Sequence, residues 1–372
     1  MNQFQTLKSD LTQSRIIDID STVIDDDEII VKIESYAFTA NNVTYGVAGD
    51  TIGYWKFFPA GYNEKNEWGC IPVWGFAEIT DSNVEGLNIG ERLFGYFPAA
   101  NSLTLKPTKI SNQSFTDGKE HRKELPSVYN NYIRLDGDQN YDASMDAIRA
   151  LLFPLHITAF CLCDALAEDA YFGASQIIII SASSKTAIGL AQGLADKDNS
   201  PKIVGLTSAR NTKFIESLGC YDQVISYDEL KNIDYSAGSI MVDMAGNREI
   251  LGKLHGELGD KMIKCLTVGM THWDNGTTAE DALGQAMLRE RTEFFFAPTH
   301  IQKRIGDWGH DVYAKKTNSF MAARALQSKM WMQIKEIDGL ENFTSTYKEM
   351  VEGKINPSEG IIVNLIDIRR IR

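Results

Sequence analysis

The sequence predicts an α/β protein whose second half folds as a doubly wound parallel sheet. Ile177–Ile180 is a short run of β-branched residues, apolar at every position, as in a strand buried on both faces. A polar turn, Ser181–Thr186, follows, and apolar residues then recur at helical spacing up to Ala195. Ile203–Leu206 forms a second apolar strand. This order of strand, turn, helix and strand is the unit that carries dinucleotides in Rossmann folds.

The overall composition is that of an acidic globular protein. The chain has 372 residues, 43% hydrophobic and 23% charged, which is enough for two domains. Its formal net charge of −13 argues against binding to nucleic acid or to an anionic membrane, because both depend on a basic surface. Neither a signal peptide nor an uninterrupted apolar span of roughly 20 residues is recognisable. The five scattered cysteines predict reduced thiols in a cytoplasmic protein.

Residues 1–150 are predicted to be mostly β-structure. Glu28–Tyr36 alternates apolar and polar residues, as a half-buried strand does. Turn-forming Gly, Pro, Asn and Asp residues separate further short strands. The polar stretch Ser111–Lys123 is predicted to be a loop. The further strands are Val73–Ile79, Arg92–Phe97 and Leu103–Leu105.

From about residue 147 strands alternate with helices, which predicts a parallel sheet with helices on both faces. The first helical segment contains Pro154, which lacks an N–H, so a break or kink is expected there. A helical stretch follows strand Thr292–Phe296, and Ile361–Ile366 is the last strand. The remaining predicted strands are Gln223–Ile225, Ile240–Val242 and Ile263–Val268, and the remaining helices are Asn211–Leu218 and Arg248–Leu258, ended by Gly219 and Gly259.

The turn after the first buried strand stands where dinucleotide folds have G-x-G-x-x-G. Only Gly189 remains, and it comes too late for the tight turn or for close approach to a pyrophosphate. The turn offers hydroxyls and one ammonium group instead, beside the N–H groups of a helix N-terminus. We predict that these groups bind phosphate, and the alternative is that the hydroxyls cap the helix. The residues are Ser183, Ser184, Lys185 and Thr186.

The end of the second strand indicates which dinucleotide is bound. A carboxylate here would accept hydrogen bonds from the adenosine ribose of NAD, but Thr207–Asn211 contains none. Ser208 and Arg210 are instead suited to a 2′-phosphate, which predicts NADP. The alternative is a solvated loop in which Ser208 caps the next helix.

With these features the chain resembles the medium-chain dehydrogenase/reductase superfamily, in its zinc-independent quinone reductase and enoyl reductase branch. Residues 73–97 resemble the segment G-x-G-x-V … G-x-x-V-G-D-R-V, with Gly75, Gly90, Glu91 and Arg92 in matching places. LLFPLHITAFCLCDAL resembles the helix that precedes the cofactor domain, and ESLGCYDQVISYDEL resembles ELGAD-x-V-I-D-Y. MVDMAGN and TVGMTHW resemble the two strand ends that pass over the nicotinamide.

The resemblance implies the domain organisation. Residues 1–150 are expected to form a GroES-like, β-rich catalytic domain, residues 151–304 a Rossmann cofactor-binding domain, and residues 305–372 a return to the catalytic domain. Relatives often dimerise by joining sheet edges, which makes Phe294–Pro298 the candidate contact strand of a homodimer. The nicotinamide is expected near Thr158, Ala245, Gly269 and Thr271.

The resemblance also bears on metal binding. Zinc-bearing relatives use a Cys, a His-Glu pair and a second Cys or Asp as ligands. At the matching positions this chain has Asn41-Asn42 and Ile71–Trp74, and its six histidines show no i, i+4 pairing. The sequence therefore predicts a metal-free site.

Without a metal, the hydride acceptor has to be polarised by hydrogen bonds or protonated by a side chain. Enoyl reductases of this branch place a proton-donating Tyr at the position that matches Tyr54. Tyr45 is a second candidate donor, and Asn42 is a candidate polar contact to nicotinamide or substrate. The alternative for Tyr54 is an aromatic packing residue.

These observations together predict an NADPH-dependent, metal-free oxidoreductase that reduces a quinone or an activated C=C or carbonyl substrate. The aromatic residues around positions 54–76 favour a small apolar or aromatic substrate. The loss of the glycines favours an alternative, a catalytically inactive nucleotide-binding or structural protein on the same fold. A methyltransferase that uses S-adenosylmethionine is disfavoured, because it would need a Gly-rich first turn and an acidic residue after the second strand.

Overall fold

The computed structural model describes residues 1–20, 23–138, 141–268 and 289–366. The chain divides into two compact units. The first unit consists of Met1–Leu151 and Gln333–Arg372, and the second of Leu152–Met332. The first is β-rich and the second contains a parallel sheet. The predicted fold class, a Rossmann sheet with a separate β-rich domain, is confirmed.

The helices and strands follow one another in this order. The strands are β1 Asn2–Leu7, β2 Asp10–Asp18, β3 Ile29–Phe38, β4 Trp68–Gly69, β5 Pro72–Ser82, β6 Arg92–Pro98, β7 Ser102–Leu105, β8 Pro107–Thr108, β9 Ser114–Asp117, β10 Asn131–Arg134, β11 Gln176–Ile180, β12 Lys202–Thr207, β13 Gln223–Ser226, β14 Ser239–Asp243, β15 Met262–Thr267, β16 Thr292–Phe294, β17 Gln333–Asp338 and β18 Glu359–Asn364. The helices are α1 Ala40–Val47, α2 Asp146–Glu168, α3 Lys185–Ala195, α4 Thr212–Ser217, α5 Arg248–Leu258, α6 Ala297–Trp308, α7 His310–Ser328 and α8 Gly339–Val351. Single 3₁₀ turns that bear on function are Tyr54–Lys56, Glu120–Arg122, Ser127–Asn130, Ala209–Asn211 and Tyr227–Asn232.

The main sheet of the first unit has the strand order β17-β18-β3-β5-β6-β10-β9-β8, with β7 also paired to β3. Its centre requires a glycine. Gly75 on β5 lies opposite Tyr36 on β3, and a Cβ at Gly75 would be 2.1 Å from the backbone oxygen of Ser35. Any side chain there would force β3 and β5 apart. This packing explains one glycine of the segment that resembles the superfamily.

The parallel sheet of the second unit has the order β13-β12-β11-β14-β15-β16 among the described residues. The alternating side chains of β11 enter two different cores. Ile177 and Ile179 pack in a cluster with Leu190 of α3, whereas Ile178 and Ile180 pack in a cluster with Leu254 of α5. Helices therefore cover both faces of the sheet, which is the doubly wound arrangement.

Pro154 does not end α2, which runs for 23 residues. The predicted break is absent. A proline inside a helix costs about 3 kcal/mol, whereas each fully buried large apolar side chain stabilises the fold by about 1.5–3 kcal/mol. Buried residues such as Leu162 and Leu166 follow Pro154 and offset that cost. The segment Ala143–Glu168 is long and apolar enough to cross a membrane, but 61% of its most apolar window is buried within the protein, as in a core helix.

The second unit extends further along the chain than the predicted boundary at residue 304. Ile301 of α6 packs in one cluster with Phe160 and Cys161 of α2. Phe320 of α7 lies 5.7 Å from Phe160, measured between ring centroids. These contacts keep residues 305–332 with the parallel-sheet unit, and the return to the first unit begins at Gln333.

The polar segment Ser111–Lys123 is not the loop that its composition predicts. It contains β9 and the 3₁₀ turn Glu120–Arg122. Arg122 is buried, and its Nη1 lies 2.9 Å from Oδ2 of the buried Asp117. The guanidinium also lies 4.5 Å from the ring centroid of Phe58 and donates to the Tyr132 hydroxyl at 3.1 Å. Polar residues here are paired inside the fold, which composition alone does not reveal.

Replacing Arg122 by methionine should destabilise the protein strongly. The substitution leaves the Asp117 carboxylate buried without its cation, which costs about 3–5 kcal/mol. Urea unfolding followed by tryptophan fluorescence measures the change in the free energy of unfolding. Lys123→Met is the control, because the neighbouring Lys123 is exposed and pairs with the exposed Glu120. Its free energy of unfolding should change by less than about 0.5 kcal/mol. Equal costs for the two variants would contradict this account.

Candidate functional site

The carboxyl edge of the parallel sheet contains a topological switch point. The strand order reverses between β11 and β14, because β12 and β13 lie on one side and β15 and β16 on the other. In open α/β sheets ligands bind outside the carboxyl ends of the strands at such a point. The chain segments that leave β11 and β14 here are therefore the candidate cofactor site of the second unit.

The segment that leaves β11, Ser181–Thr186, is called the phosphate turn below. Its first residue, Ser181, has φ +63, a left-handed conformation that glycine usually adopts. The Ser181 N–H donates to the Tyr227 hydroxyl at 3.0 Å. The Ala182 N–H donates to Leu206 O at 2.8 Å, and the Ser184 N–H to Ser181 O at 2.9 Å. The chain thus makes the tight turn without glycine, and these three N–H groups are used within the protein.

The serines of the phosphate turn have different surroundings. Ser184 is the N-cap of α3, and its Oγ accepts from the Ala187 N–H at 3.2 Å, so the capping alternative applies to it. Ser183 Oγ accepts from Thr207 Oγ1 at 3.2 Å and from Asn211 Nδ2 at 3.1 Å. Ser183 therefore connects the phosphate turn to the end of the next strand.

The remaining residues of the phosphate turn, Lys185 and Thr186, are half-buried in the first turn of α3. An ammonium group at a helix N-terminus opposes the helix dipole. A bound anion there would be favoured both by the ammonium group and by the positive end of the dipole. The position is therefore suited to a phosphate.

The segment after β12 is exposed at Arg210 and half-buried at Ser208. Ser208 precedes the 3₁₀ turn Ala209–Asn211 and makes no side-chain capping hydrogen bond. The capping alternative is therefore not observed at Ser208. Because Thr207–Asn211 lacks a carboxylate, the pattern expected of a 2′-phosphate site is preserved in the fold.

The segment that leaves β14 is shaped by a buried carboxylate. Asp243 accepts from the Ala245 N–H through Oδ1 and from the Gly246 N–H through Oδ2, both at 2.9 Å. Burial raises the pKa of Asp243 to about 6, although the two N–H donors act in the opposite direction. Asp243 thus fixes the backbone at Ala245.

The other residues predicted near the nicotinamide are Thr158, Gly269 and Thr271. The Thr158 hydroxyl on α2 donates to Pro154 O at 3.0 Å, and Gly269 and Thr271 lie outside the described residues.

The first unit contains a group of four tyrosines, Tyr45, Tyr54, Tyr96 and Tyr129, called the phenol cluster below. The Tyr45 and Tyr54 rings lie 4.4 Å apart between centroids, and those of Tyr96 and Tyr129 lie 4.8 Å apart. The Tyr54 and Tyr129 hydroxyl oxygens are 3.3 Å apart. Tyr45, Tyr54 and Tyr96 are buried, whereas Tyr129 is half-buried. The structure therefore brings both predicted tyrosines together and adds two more.

Burial sets the protonation state of these phenols. It raises the pKa of Tyr54 and Tyr45 above the usual value of a tyrosine, and in each case a neighbouring phenol adds to the effect. A hydrogen bond from Asn41 acts against this on Tyr45. Both phenols are consequently protonated at neutral pH and available as proton donors.

Asn42 is placed differently from Tyr54 and Tyr45. Its Oδ1 accepts from the N–H of Thr39 at 2.8 Å and from the Thr39 hydroxyl at 3.1 Å, which caps α1. Its Nδ2 donates to Pro72 O at 2.9 Å. Both ends of the amide are thus hydrogen-bonded within the first unit, which gives Asn42 a role in positioning α1.

Sequence reasoning missed four polar residues that the structure places at these sites. Asn211 lies in the segment Thr207–Asn211, which the sequence pattern had singled out for another reason. Asp243 and Tyr227 follow predicted parallel strands, and that position is a signal for a residue near a ligand site. Tyr129 carried no such signal. In the described part of the chain, no group of three or more His, Cys, Asp or Glu residues is arranged to hold a metal ion.

Several solved structures have a similar fold. The chain matches CurA of Vibrio vulnificus in complex with NADPH at a TM-score of 0.60 and 12% identity, over 99% of this chain and 100% of CurA. It matches the quinone oxidoreductase of Coxiella burnetii at a TM-score of 0.57 and 14% identity, over 98% of this chain and 99% of the oxidoreductase. It matches the Haloferax mediterranei glucose dehydrogenase in complex with NADP, Zn and gluconolactone at a TM-score of 0.56 and 11% identity. This match covers 99% of this chain and 100% of the dehydrogenase.

The sequence comparisons give the family. No curated protein matches the chain by sequence. The fold is that of the medium-chain dehydrogenases/reductases, as the resemblance implied. A family model described as “Protein of unknown function (DUF2855)” matches residues 36–356. The chain therefore belongs to this family.

Proposed function

We propose that the protein is an NADPH-dependent, metal-free oxidoreductase that reduces a quinone or an activated C=C or carbonyl substrate. The observation that carries the proposal is the polar phosphate turn at the switch point of a Rossmann sheet, beside a strand end with an arginine and no carboxylate. The proton-donating phenols of the first unit support the reductive direction. The bound NADP or NADPH in similar solved structures adds support from the fold.

The residues present fit NADPH, although they do so differently from a glycine-rich turn. Three N–H groups of the phosphate turn already donate within the protein, so side chains have to contribute more of the phosphate contacts. Ser183, Lys185 and Thr186 would hold the pyrophosphate at the N-terminus of α3. Ser208 and Arg210 would hold the 2′-phosphate.

The chemistry divides between the cofactor and the phenol cluster. NADPH, when bound, supplies a hydride. The side chains of this protein have to supply a proton or a hydrogen bond to the oxygen or carbon that becomes electron-rich. Tyr54 is the proposed donor, and the ring of Tyr45, 4.4 Å away between centroids, helps to bury it. The aromatic surroundings, which include Phe57 and Trp74, suit a small apolar or aromatic substrate.

One observation favours the second candidate, a nucleotide-binding protein without catalysis. The phosphate turn has lost its glycines, and Tyr227 occupies a backbone N–H of that turn. Such a protein would still bind NADPH through Ser183 and Arg210. It would not need the Tyr54 hydroxyl, and the two predictions that follow separate the candidates.

Arg210→Ala should weaken NADPH binding about 10- to 150-fold, because a hydrogen bond to a charged group contributes about 1.5–3 kcal/mol. NADH binding should not change, because NADH lacks the 2′-phosphate. Ser208→Asp should weaken NADPH binding and strengthen NADH binding, because a carboxylate repels the phosphate and accepts from the ribose. Quenching of tryptophan fluorescence during titration measures both dissociation constants.

Lys202→Ala is the matched control for charge. It removes one positive charge from the same strand, but Lys202 lies at the amino end of β12, at the opposite edge of the sheet from Arg210. Its effect on NADPH binding should be less than twofold. An Arg210→Ala protein that binds NADPH as tightly as the Lys202→Ala protein would refute the assignment of the 2′-phosphate site.

Tyr54→Phe should lower kcat for reduction of an enone by about 10²- to 10⁴-fold, the usual contribution of a general acid. The NADPH dissociation constant should stay the same, because the hydroxyl acts on the substrate. Loss of NADPH absorbance with a panel of enones and quinones gives the rate.

Tyr62→Phe is the control for removal of a phenol hydroxyl. Tyr62 is exposed and its hydroxyl donates to Asp20, away from the phenol cluster. Its kcat should equal that of the unmodified protein. NADPH binding without turnover of any acceptor, in the unmodified protein, would favour the non-catalytic candidate.

A further inference from the structure

We propose that Tyr129 returns a proton from solvent to Tyr54, so that the two hydroxyls act as a relay. This inference rests on the proposed function, in which Tyr54 is the proton donor. Nothing in the sequence pattern pointed to Tyr129. The proposal follows from the contact between the two hydroxyls and from their different exposure.

Tyr54 needs such a partner because its side chain is almost cut off from water. It is 6% exposed, and the adjacent Tyr45 is 4% exposed. After Tyr54 has donated its proton, a phenolate would be left in an aromatic environment, where an unpaired charge is strongly disfavoured. The hydroxyl of Tyr129, 3.3 Å away, is placed to remove that charge by giving up its own proton.

Tyr129 is suited to this task by its position at the margin of the phenol cluster. It is half-buried, so it has contact with solvent that Tyr54 and Tyr45 lack. Burial raises the pKa of Tyr129, and the phenols that face it are those of Tyr54, Tyr45 and Tyr96. Its hydroxyl is therefore protonated at neutral pH and holds a proton that it can give to a Tyr54 phenolate.

The segment that carries Tyr129 is held firmly against the cluster. The ring of Tyr129 lies 4.8 Å from that of Tyr96 and 5.3 Å from that of Phe57, between centroids. The next residue, Asn130, donates from Nδ2 to the backbone oxygen of Arg122 at 3.1 Å. Arg122 is itself fixed by its buried ion pair with Asp117. The tertiary structure thus fixes the hydroxyl of Tyr129 rather than leaving it on a mobile loop.

The proton balance of the relay is simple. The hydride adds to one substrate atom, the Tyr54 O–H bond breaks, and its proton goes to the neighbouring oxygen or carbon that has become electron-rich. The Tyr54 oxygen then takes the proton of Tyr129, whose oxygen takes a proton from solvent water or a buffer acid. Neither tyrosine is oxidised or reduced, and both end as they began.

The hydrogen bond can be tested in the full chain without cofactor or substrate. Trifluorotyrosine, incorporated at position 129 alone, has a phenol that titrates near neutral pH and whose phenolate absorbs separately. We expect its pKa to be at least about one pH unit lower when Tyr54 is present than in the Tyr54→Phe background, because the fluorinated phenol ionises while Tyr54 stays neutral and donates a hydrogen bond to the phenolate. Equal pKa values in the two backgrounds would overturn the proposal.

Tyr132→Phe is the control in the same titration. Tyr132 lies in the same segment, but its hydroxyl donates to Tyr96 O and accepts from Arg122. It should leave the pKa of the fluorinated phenol unchanged to within a few tenths of a pH unit. A change as large as that from Tyr54→Phe would mean that general disturbance of the cluster, and not the hydrogen bond, sets the pKa.

The kinetic test uses Tyr129→Phe with NADPH and an enone. We expect kcat to fall about tenfold or more, KM and the NADPH dissociation constant to stay the same, and the solvent deuterium isotope effect on kcat to increase, because proton return becomes rate-limiting. Tyr132→Phe should not increase the isotope effect. Full turnover in Tyr129→Phe, with NADPH still bound, would overturn the relay and leave the proposed function intact. Failure of the unmodified protein to bind NADPH would instead refute the proposed function, and the titration would then decide alone whether the two hydroxyls are coupled.

Discussion

Burial of β11 on both faces is the constraint on which the parallel-sheet unit depends. Ile177 and Ile179 belong to one core and Ile178 and Ile180 to the other, so one five-residue strand links the helices on the two sides. Both cores fix the position of the carboxyl end of β11. The phosphate turn begins there, next to the end of β14, and the burial of the strand therefore sets the position of the candidate cofactor site.

The phosphate turn shows how a fold can keep a tight connection after losing its glycines. Ser181 adopts the left-handed conformation, which costs a non-glycine residue roughly 1–3 kcal/mol, and the Tyr227 hydroxyl accepts its N–H. The surrounding structure maintains this conformation. As a consequence, fewer backbone N–H groups are left to donate to a ligand, and the proposed binding of a phosphate would depend more on hydroxyl and ammonium side chains. That shift is what separates this site from a glycine-rich turn.

In the first unit, a buried ion pair and a group of phenols depend on each other. The Arg122–Asp117 pair fixes the segment that carries Tyr129, and Arg122 also contacts Phe58, whose ring lies 5.9 Å from that of Tyr96. Removing water from this region favours neutral phenols over phenolates. The same desolvation that keeps the tyrosines protonated would make a hydrogen-bonded route to solvent necessary if Tyr54 acts repeatedly as the proposed donor.

The sequence by itself determined the parallel sheet, because runs of buried β-branched residues and helical periodicity are local signals. It predicted β11 and β12 to within one residue at each end, and α5 with the bounds that the structure has. It also located the phosphate turn, since a segment after a buried strand has a known place in such a sheet. Only the tertiary structure decided the pairing of Arg122 with Asp117 and the approach of Tyr129 to Tyr54, 75 residues away. The second contact joins segments far apart in the chain, and the polar composition around the first resembles that of a loop until the partners are brought together.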